Sequence, residues 1–214
     1  MKVVPMSKHF TQVAGIIVCS LLASFSAIAQ DDKHKPELRA MLSQLKSFSA
    51  DFVQEVKDIN GELLQRAEGK ITLQQPQRLH WEVLPPNEGL LIADGETLWH
   101  VDPFVEQVIA VDQKSAVQDH PIMLLAEPDS QRWDDYSVSF EDDSYVIYPL
   151  SKQQSVKQFN LHFDKYKMLS HIKIIDQQEQ TNWLYFSNAQ SNIAIPSDTF
   201  TFALPEGFDL DDQR

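Results

Sequence analysis

The sequence predicts a mainly β fold with helices, in which a strongly curved antiparallel sheet, an incomplete or half β-barrel, is closed by a helical lid. Three observations lead there. Short segments alternate apolar and polar residues with a period of two, and turn-forming clusters separate them at hairpin spacing. One segment, 115–133, breaks the alternation with two prolines and an apolar cluster. Many short strands with one apolar face build curved sheets or barrels. Short helices that cannot stand alone must pack on something apolar, and the concave face of such a sheet is available.

The chain opens with Lys2, Lys8 and His9, carries no acid before Asp31, and is apolar from Val13 to Ile28 apart from small and hydroxyl residues. Ala27-Ile28-Ala29 ahead of Gln30 is the small-x-small pattern of a cleavage site, so residues 1–29 read as a signal peptide and 30–214 as one mature domain. The apolar run is short for a membrane-spanning helix. Cys19, the single cysteine, falls inside the leader, with Val18 where a lipidation site requires a small residue. The formal net charge is −13, and losing the two leader lysines makes the remainder more negative by two units. That disfavours a nucleic-acid ligand, whose phosphates require a basic surface, and disfavours anionic membranes equally.

Within the mature chain, Pro36 suits a first helical turn. Leu38, Met41, Leu42 and Leu45 follow at i, i+3, i+4 and i+7, the stripe of an amphipathic helix. From Ser47 the period drops to two, with Phe48, Ala50, Phe52 and Val56 on one parity, and Asn60-Gly61 makes a hairpin turn. Ile71 and Leu73 share parity with Leu79, Trp81 and Val83. Pro85-Pro86-Asn87 ends that run, and Asp94-Gly95 turns the next hairpin into a strand where Trp99 and Val101 alternate with His100 and Asp102. Further strands are expected at Tyr136–Phe140, Tyr145–Tyr148, Phe159–Phe163, Ile172–Ile174, Trp183–Phe186 and Phe200–Phe202. Two short helices split near Pro128, capped by Asp119 and Asp129, carry Ile122, Met123, Leu124 and Leu125 as the lid.

No nucleophile elbow, zinc-binding His-Glu-x-x-His, phosphate loop or metal-spaced cysteines are present, so neither catalytic residues nor a metal or cofactor are expected. His100 and Asp102 share a strand face opposite to Trp99 and Val101. If the aromatic face is inside, the His and Asp lie in water. Inward Phe52, Trp81, Trp99 and Phe159 also read as ordinary core, so the residues alone stop at an exported β domain with helices, with ligand binding left open.

Several motifs nonetheless resemble one family in order and spacing. These are Phe48-Ser49-Ala50-Asp51-Phe52-Val53-Gln54; Gly69 to Trp81; Asp94-Gly95-Glu96-Thr97-Leu98-Trp99; Asp102-Pro103-Phe104-Val105-Glu106-Gln107; His120-Pro121-Ile122-Met123-Leu124-Leu125; and Pro205-Glu206-Gly207 before Asp211-Asp212-Gln213. Together they resemble the outer-membrane lipoprotein carrier (LolA) family from Glu37 to the end. The resemblance implies a monomeric periplasmic carrier with no enzymatic activity. Such a carrier takes lipoproteins by their acyl chains from an inner-membrane LolCDE-type ABC transporter and passes them to a LolB-type outer-membrane receptor. It implies an acyl-chain cavity at Phe52, Leu79, Trp81, Trp99, Val101 and Phe104, and a lid at Ile122, Met123, Leu124, Leu125 and Trp133. Where the family commonly has Arg-Pro before the strand of the Trp, this chain has Gln75-Pro76. Gln75 keeps the inward parity and becomes the expected lid latch, weaker for lacking charge. The alternatives from the residues alone are an exported protein-binding β module or, with less support, a lipid-acting hydrolase.

Overall fold

The computed structural model describes residues 33–116, 121–151 and 154–214. The leader and its cleavage site, together with Asp119 and His120, lie outside the described residues.

One helix, α1 (His34–Ser43), precedes six strands joined as a meander: β1 (Ser47–Lys57), β2 (Leu63–Gln74), β3 (Arg78–Val83), β4 (Gly89–Ala93), β5 (Thr97–Asp102) and β6 (Gln107–Asp112). A short helical turn, α2 (Gln113–Ala116), and two 3-10 helices, Pro121–Ala126 and Gln131–Asp135, follow. Then come β7 (Tyr136–Glu141), β8 (Ser144–Pro149), β9 (Val156–Phe163), β10 (Leu169–Asp176) and β11 (Thr181–Ser191). A 3-10 turn at Ser197–Phe200 and a short strand β12 (Asp209–Asp212) end the chain. These twelve strands join one sheet in the order β12-β6-β5-β4-β3-β2-β1-β11-β10-β9-β8-β7, antiparallel except where β12 runs parallel to β6. β12 and β7 are its edges, so the sheet is open.

The expected alternation produces this sheet through its turns. Gly61 adopts φ +85° in the β1–β2 hairpin, and Asp58 accepts the N–H groups of Asn60 and Glu62 on Oδ1. At the β4–β5 turn Gly95 has φ +107°, and Asp94 Oδ1 accepts from Glu96 and Thr97. Burial pushes the Asp94 carboxyl upward, but bonds from Thr97, the Trp99 indole and Glu96 outweigh it and leave the pKa lowered. Buried Gln113 spans two turns, accepting from Gly95 N–H at 2.9 Å and donating to the Gln77 carbonyl at 2.7 Å.

Cross-strand register sorts the side chains. Leu73, Leu79, Ala93 and Leu98 lie opposite one another across β2 to β5, as do Ile71, Trp81, Leu91 and His100. This inner face continues through Phe48, Ala50 and Phe52 of β1 and Ile172 of β10 into the main core. Leu38 and Leu42 of α1 are buried there, with Met41 and Leu45 against it, as the helical stripe requires. Phe52 packs its ring on Trp81 at 4.4 Å and lies over Gly69, where β2 has no side chain.

The same pairing places Ile92 opposite Trp99, Trp99 opposite Ala110, and Val101 opposite Val108, all on the other side of the sheet. Ile92, Val101, Val108 and Ala110 are buried, yet none belongs to the main core cluster. They form a second, smaller core beneath the C-terminal segment. Phe202 stacks on Trp99 at 4.5 Å, Phe200 is buried under the Arg78 guanidinium, and Arg214 sits over the Trp99 ring. Phe200–Phe202 is therefore not a strand, because those rings turn down onto an outer face instead of pairing along an edge. Near the end of the chain, Asp211 and Asp212 pair with β6.

This packing makes two substitutions informative. A Cβ at position 69 would overlap both the Glu82 carbonyl of the paired strand and the Phe52 ring, so Gly69→Ala should cost about 2 kcal/mol, measured by its urea midpoint. Trp99→Ala, at a half-buried site, should cost about 3 kcal/mol, by unseating the C-terminal segment. Limited proteolysis should then trim the C-terminus before the rest of the sheet is cut.

Candidate functional site

The inner face is not filled completely. It leaves a cavity of about 360 Å³ with walls of Trp81 and Val83 from β3, Leu90 and Leu91 from β4, and Ile174 and Leu184 from β10 and β11. Pro121 and Ile122 of the first 3-10 helix complete the lining. His100 on β5 and Val156 on β9 both reach it, although seven strand steps separate them in the sheet order. A flat sheet would hold those strands about 34 Å apart, so the sheet must curl, as the half-barrel expectation requires.

The segment Pro121–Ala126 is buried at all six residues, with Met123 and Leu124 at 0 % exposure. The two expected helices are present on either side of Pro128, but both are 3-10. Runs of five and six residues are of the length at which 3-10 turns are common. The cap of the second is Ser130, whose Oγ accepts from Arg132 N–H at 3.2 Å, and not Asp129. Trp133 is fully buried and donates its indole N–H to the Glu127 carbonyl at 3.0 Å. Among the described residues, few bonds join this segment to the rest. Gln77 N–H donates to the Ala126 carbonyl at 3.1 Å, and Arg39 Nε of α1 donates to the Pro128 carbonyl at 2.6 Å. Gln75 donates its amide to the Leu42 carbonyl at the end of α1, 2.8 Å away. It therefore fastens α1 to the sheet, while Arg39 ties α1 to the 121–133 segment. α1 is held at its other end by stacking of His34 on Phe140 and by Tyr145, whose pKa burial and the Glu37 carboxylate push up to about 12.

Of the residues expected around the cavity, Trp81 and Ile122 line it, and Phe52 and Leu79 lie buried behind it in the inner core. Trp99 and Val101 do not line it. Register across the Asp94-Gly95 turn puts Leu98 and His100 on the inner face, which sends the Trp outward to Phe202. His100, expected in water on the outer face, is exposed but stands on the cavity wall. Phe104 also corrects an expectation: it is 69 % exposed on the β5–β6 turn. There Asp102 Oδ1 accepts its N–H, and Glu106 at φ 52° turns the chain into β6. Sequence reasoning missed Gln54, Val83, Leu91, Asn182 and Leu184. Val83 and Gln54 were within reach, since each continues an inward parity already drawn. Among the described residues no group of three His, Cys, Asp or Glu comes together to hold a metal ion.

The family model for "Outer membrane lipoprotein carrier protein LolA" matches residues 43–203. An outer-membrane lipoprotein carrier protein of Histophilus somni (strain 2336) is 38% identical over 178 residues, 83% of this chain and 87% of that one. Its counterpart in Idiomarina loihiensis is 33% identical over 201 residues, 94% and 98% of the two chains. An uncharacterized conserved protein from Thermus thermophilus, solved by crystallography, superposes with a TM-score of 0.51 at 8% identity, covering 83% of this chain and 99% of that one, a likeness of fold alone. With the family model matching most of its length and relatives of full-length similarity, the chain belongs to the outer-membrane lipoprotein carrier protein LolA family.

Proposed function

We propose that this chain is a periplasmic carrier that binds the acyl chains of lipoproteins in the inner-face cavity and moves them from the inner to the outer membrane. The observation that carries the reading is an apolar cavity covered by a buried but sparsely bonded segment, in a member of the LolA family. Residues 1–29 act as the export signal, and residues 30–214 work as a monomer without catalysis. A LolCDE-type ABC transporter loads the carrier, and a LolB-type receptor unloads it. No described helix is long and apolar enough to cross a membrane.

The energetics suit a carrier. Burying one sixteen-carbon chain completely would gain about 12 kcal/mol, and three such chains would never be released. A cavity of about 360 Å³ lies at the small end of ligand pockets, so entry requires the 121–126 segment to move. Its displacement exposes Met123, Leu124 and Leu125, and this cost offsets part of the gain from acyl burial. Loading and release are thereby kept close in free energy. Phe52 and Leu79 form the floor beneath the chains, Trp81 the wall, and Ile122 to Leu125 with Trp133 the cover.

The direct test incubates the processed protein with transporter-containing proteoliposomes and a triacylated lipoprotein. A soluble one-to-one complex should form with the acylated lipoprotein and not with its unacylated form; equal capture of both would point to a protein-binding module instead. Arg39→Ala removes the bond to the Pro128 carbonyl, worth about 2 kcal/mol for a charged donor. It should loosen the cover, which hydrogen exchange would report as faster exchange of amides in 121–135 with the sheet unchanged.

A further inference from the structure

A cavity meant only for hydrocarbon needs no polar wall, yet this one has a polar island. Gln54 of β1 and Asn182 of β11 both line it, half-buried, and Gln54 Nε2 donates to Asn182 Oδ1 at 3.1 Å. Each primary amide offers two N–H donors and an oxygen with two lone pairs. Their mutual bond uses one donor and one lone pair, and the remainder border the apolar space made by Ile174, Leu184 and Val83.

The wall is also uncharged. Among the described residues no Lys, Arg, Asp or Glu lines the cavity, and the titratable residue that does, His100, is exposed. An anionic group entering here would shed water and find no cation, whereas a neutral carbonyl would exchange water for an amide N–H. Hydrocarbon gains equally from the apolar surface whatever its headgroup, so discrimination must come from the polar island.

We infer that the Gln54–Asn182 amide pair is a specificity element that recognises the neutral ester or amide carbonyl joining an acyl chain to its carrier molecule, and selects such chains over free fatty acids. The inference rests on the carrier reading above and names the ligand chemistry of the same cavity. The pair is well placed for this. It bridges β1 and β11 in mid-sheet, so a carbonyl bonded there lets its chain run along the Trp81 and Leu91 wall toward Ile122.

The test displaces a bound fluorescent acyl probe from the processed protein at pH 8 with methyl palmitate, palmitate or hexadecane. The ester should compete at about tenfold lower concentration than palmitate, the size expected of one to two net hydrogen bonds. In Gln54→Leu/Asn182→Leu the ester should weaken about tenfold relative to hexadecane, which has no carbonyl to lose. Asn182→Lys supplies the missing cation and should turn the preference toward palmitate, a gain that misfolding cannot imitate. An unchanged ester-to-hexadecane ratio in the double variant would overturn the inference, as would a wild-type preference for palmitate. Equal competition by all three in the wild type would remove the specificity element and leave the carrier reading standing. Failure of any acyl compound to bind would remove both.

Discussion

The constraint on which this structure depends is the covering of an apolar sheet that never closes on itself. A closed barrel satisfies its inner face with its own opposite wall. Here the edges β7 and β12 do not meet, and the inner face would stand open without other material. α1 supplies Leu38 and Leu42, and the 121–133 segment supplies Ile122 to Ala126 and Trp133. The cavity is what remains between the curl of the sheet and that cover. Its existence is a consequence of incomplete closure.

How the cover is attached sets how it can move. A strand inside the sheet is bonded along its whole length, but among the described residues the 121–133 segment is joined to the sheet by Gln77 N–H and to α1 through Arg39 and Ser43. α1 is held more firmly, by Gln75 at one end and by Phe140 and Tyr145 at the other. The two parts of the cover therefore differ in how they are fastened, the second by apolar burial more than by bonds, and its Pro121 and Ile122 stand on the cavity wall. Segments with few external bonds open locally without unfolding the rest.

The second core is the other face of the same problem. β3 to β6 bury side chains on both sides, inward to the cavity and outward to Phe200 and Phe202. Sheets covered on both faces lose the clean alternation that identifies an inside. In β5 that ambiguity falls on Leu98-Trp99-His100-Val101, where either parity offers an apolar side chain. The Trp is the more conspicuous, and the choice of it as inward is what the register reverses.

The amino-acid sequence by itself determined the class of the fold, most strand positions, the turns at Asn60-Gly61 and Asp94-Gly95, the stripe of α1 and the apolar segment near Pro128. Each of these rests on local chemistry: a two-residue period, a glycine able to take positive φ, a 3.6-residue stripe, and prolines that shorten helices. It also determined family membership, through motifs at fixed spacing. Only the tertiary structure decided which face of β5 looks inward, that Phe104 stands on an exposed turn, that Gln75 reaches α1, and that Gln54 meets Asn182 across residues 128 apart in sequence. These depend on register between strands and on what covers each face. Neither is carried by any single stretch of chain, because a pleated strand presents two faces and its partners choose between them.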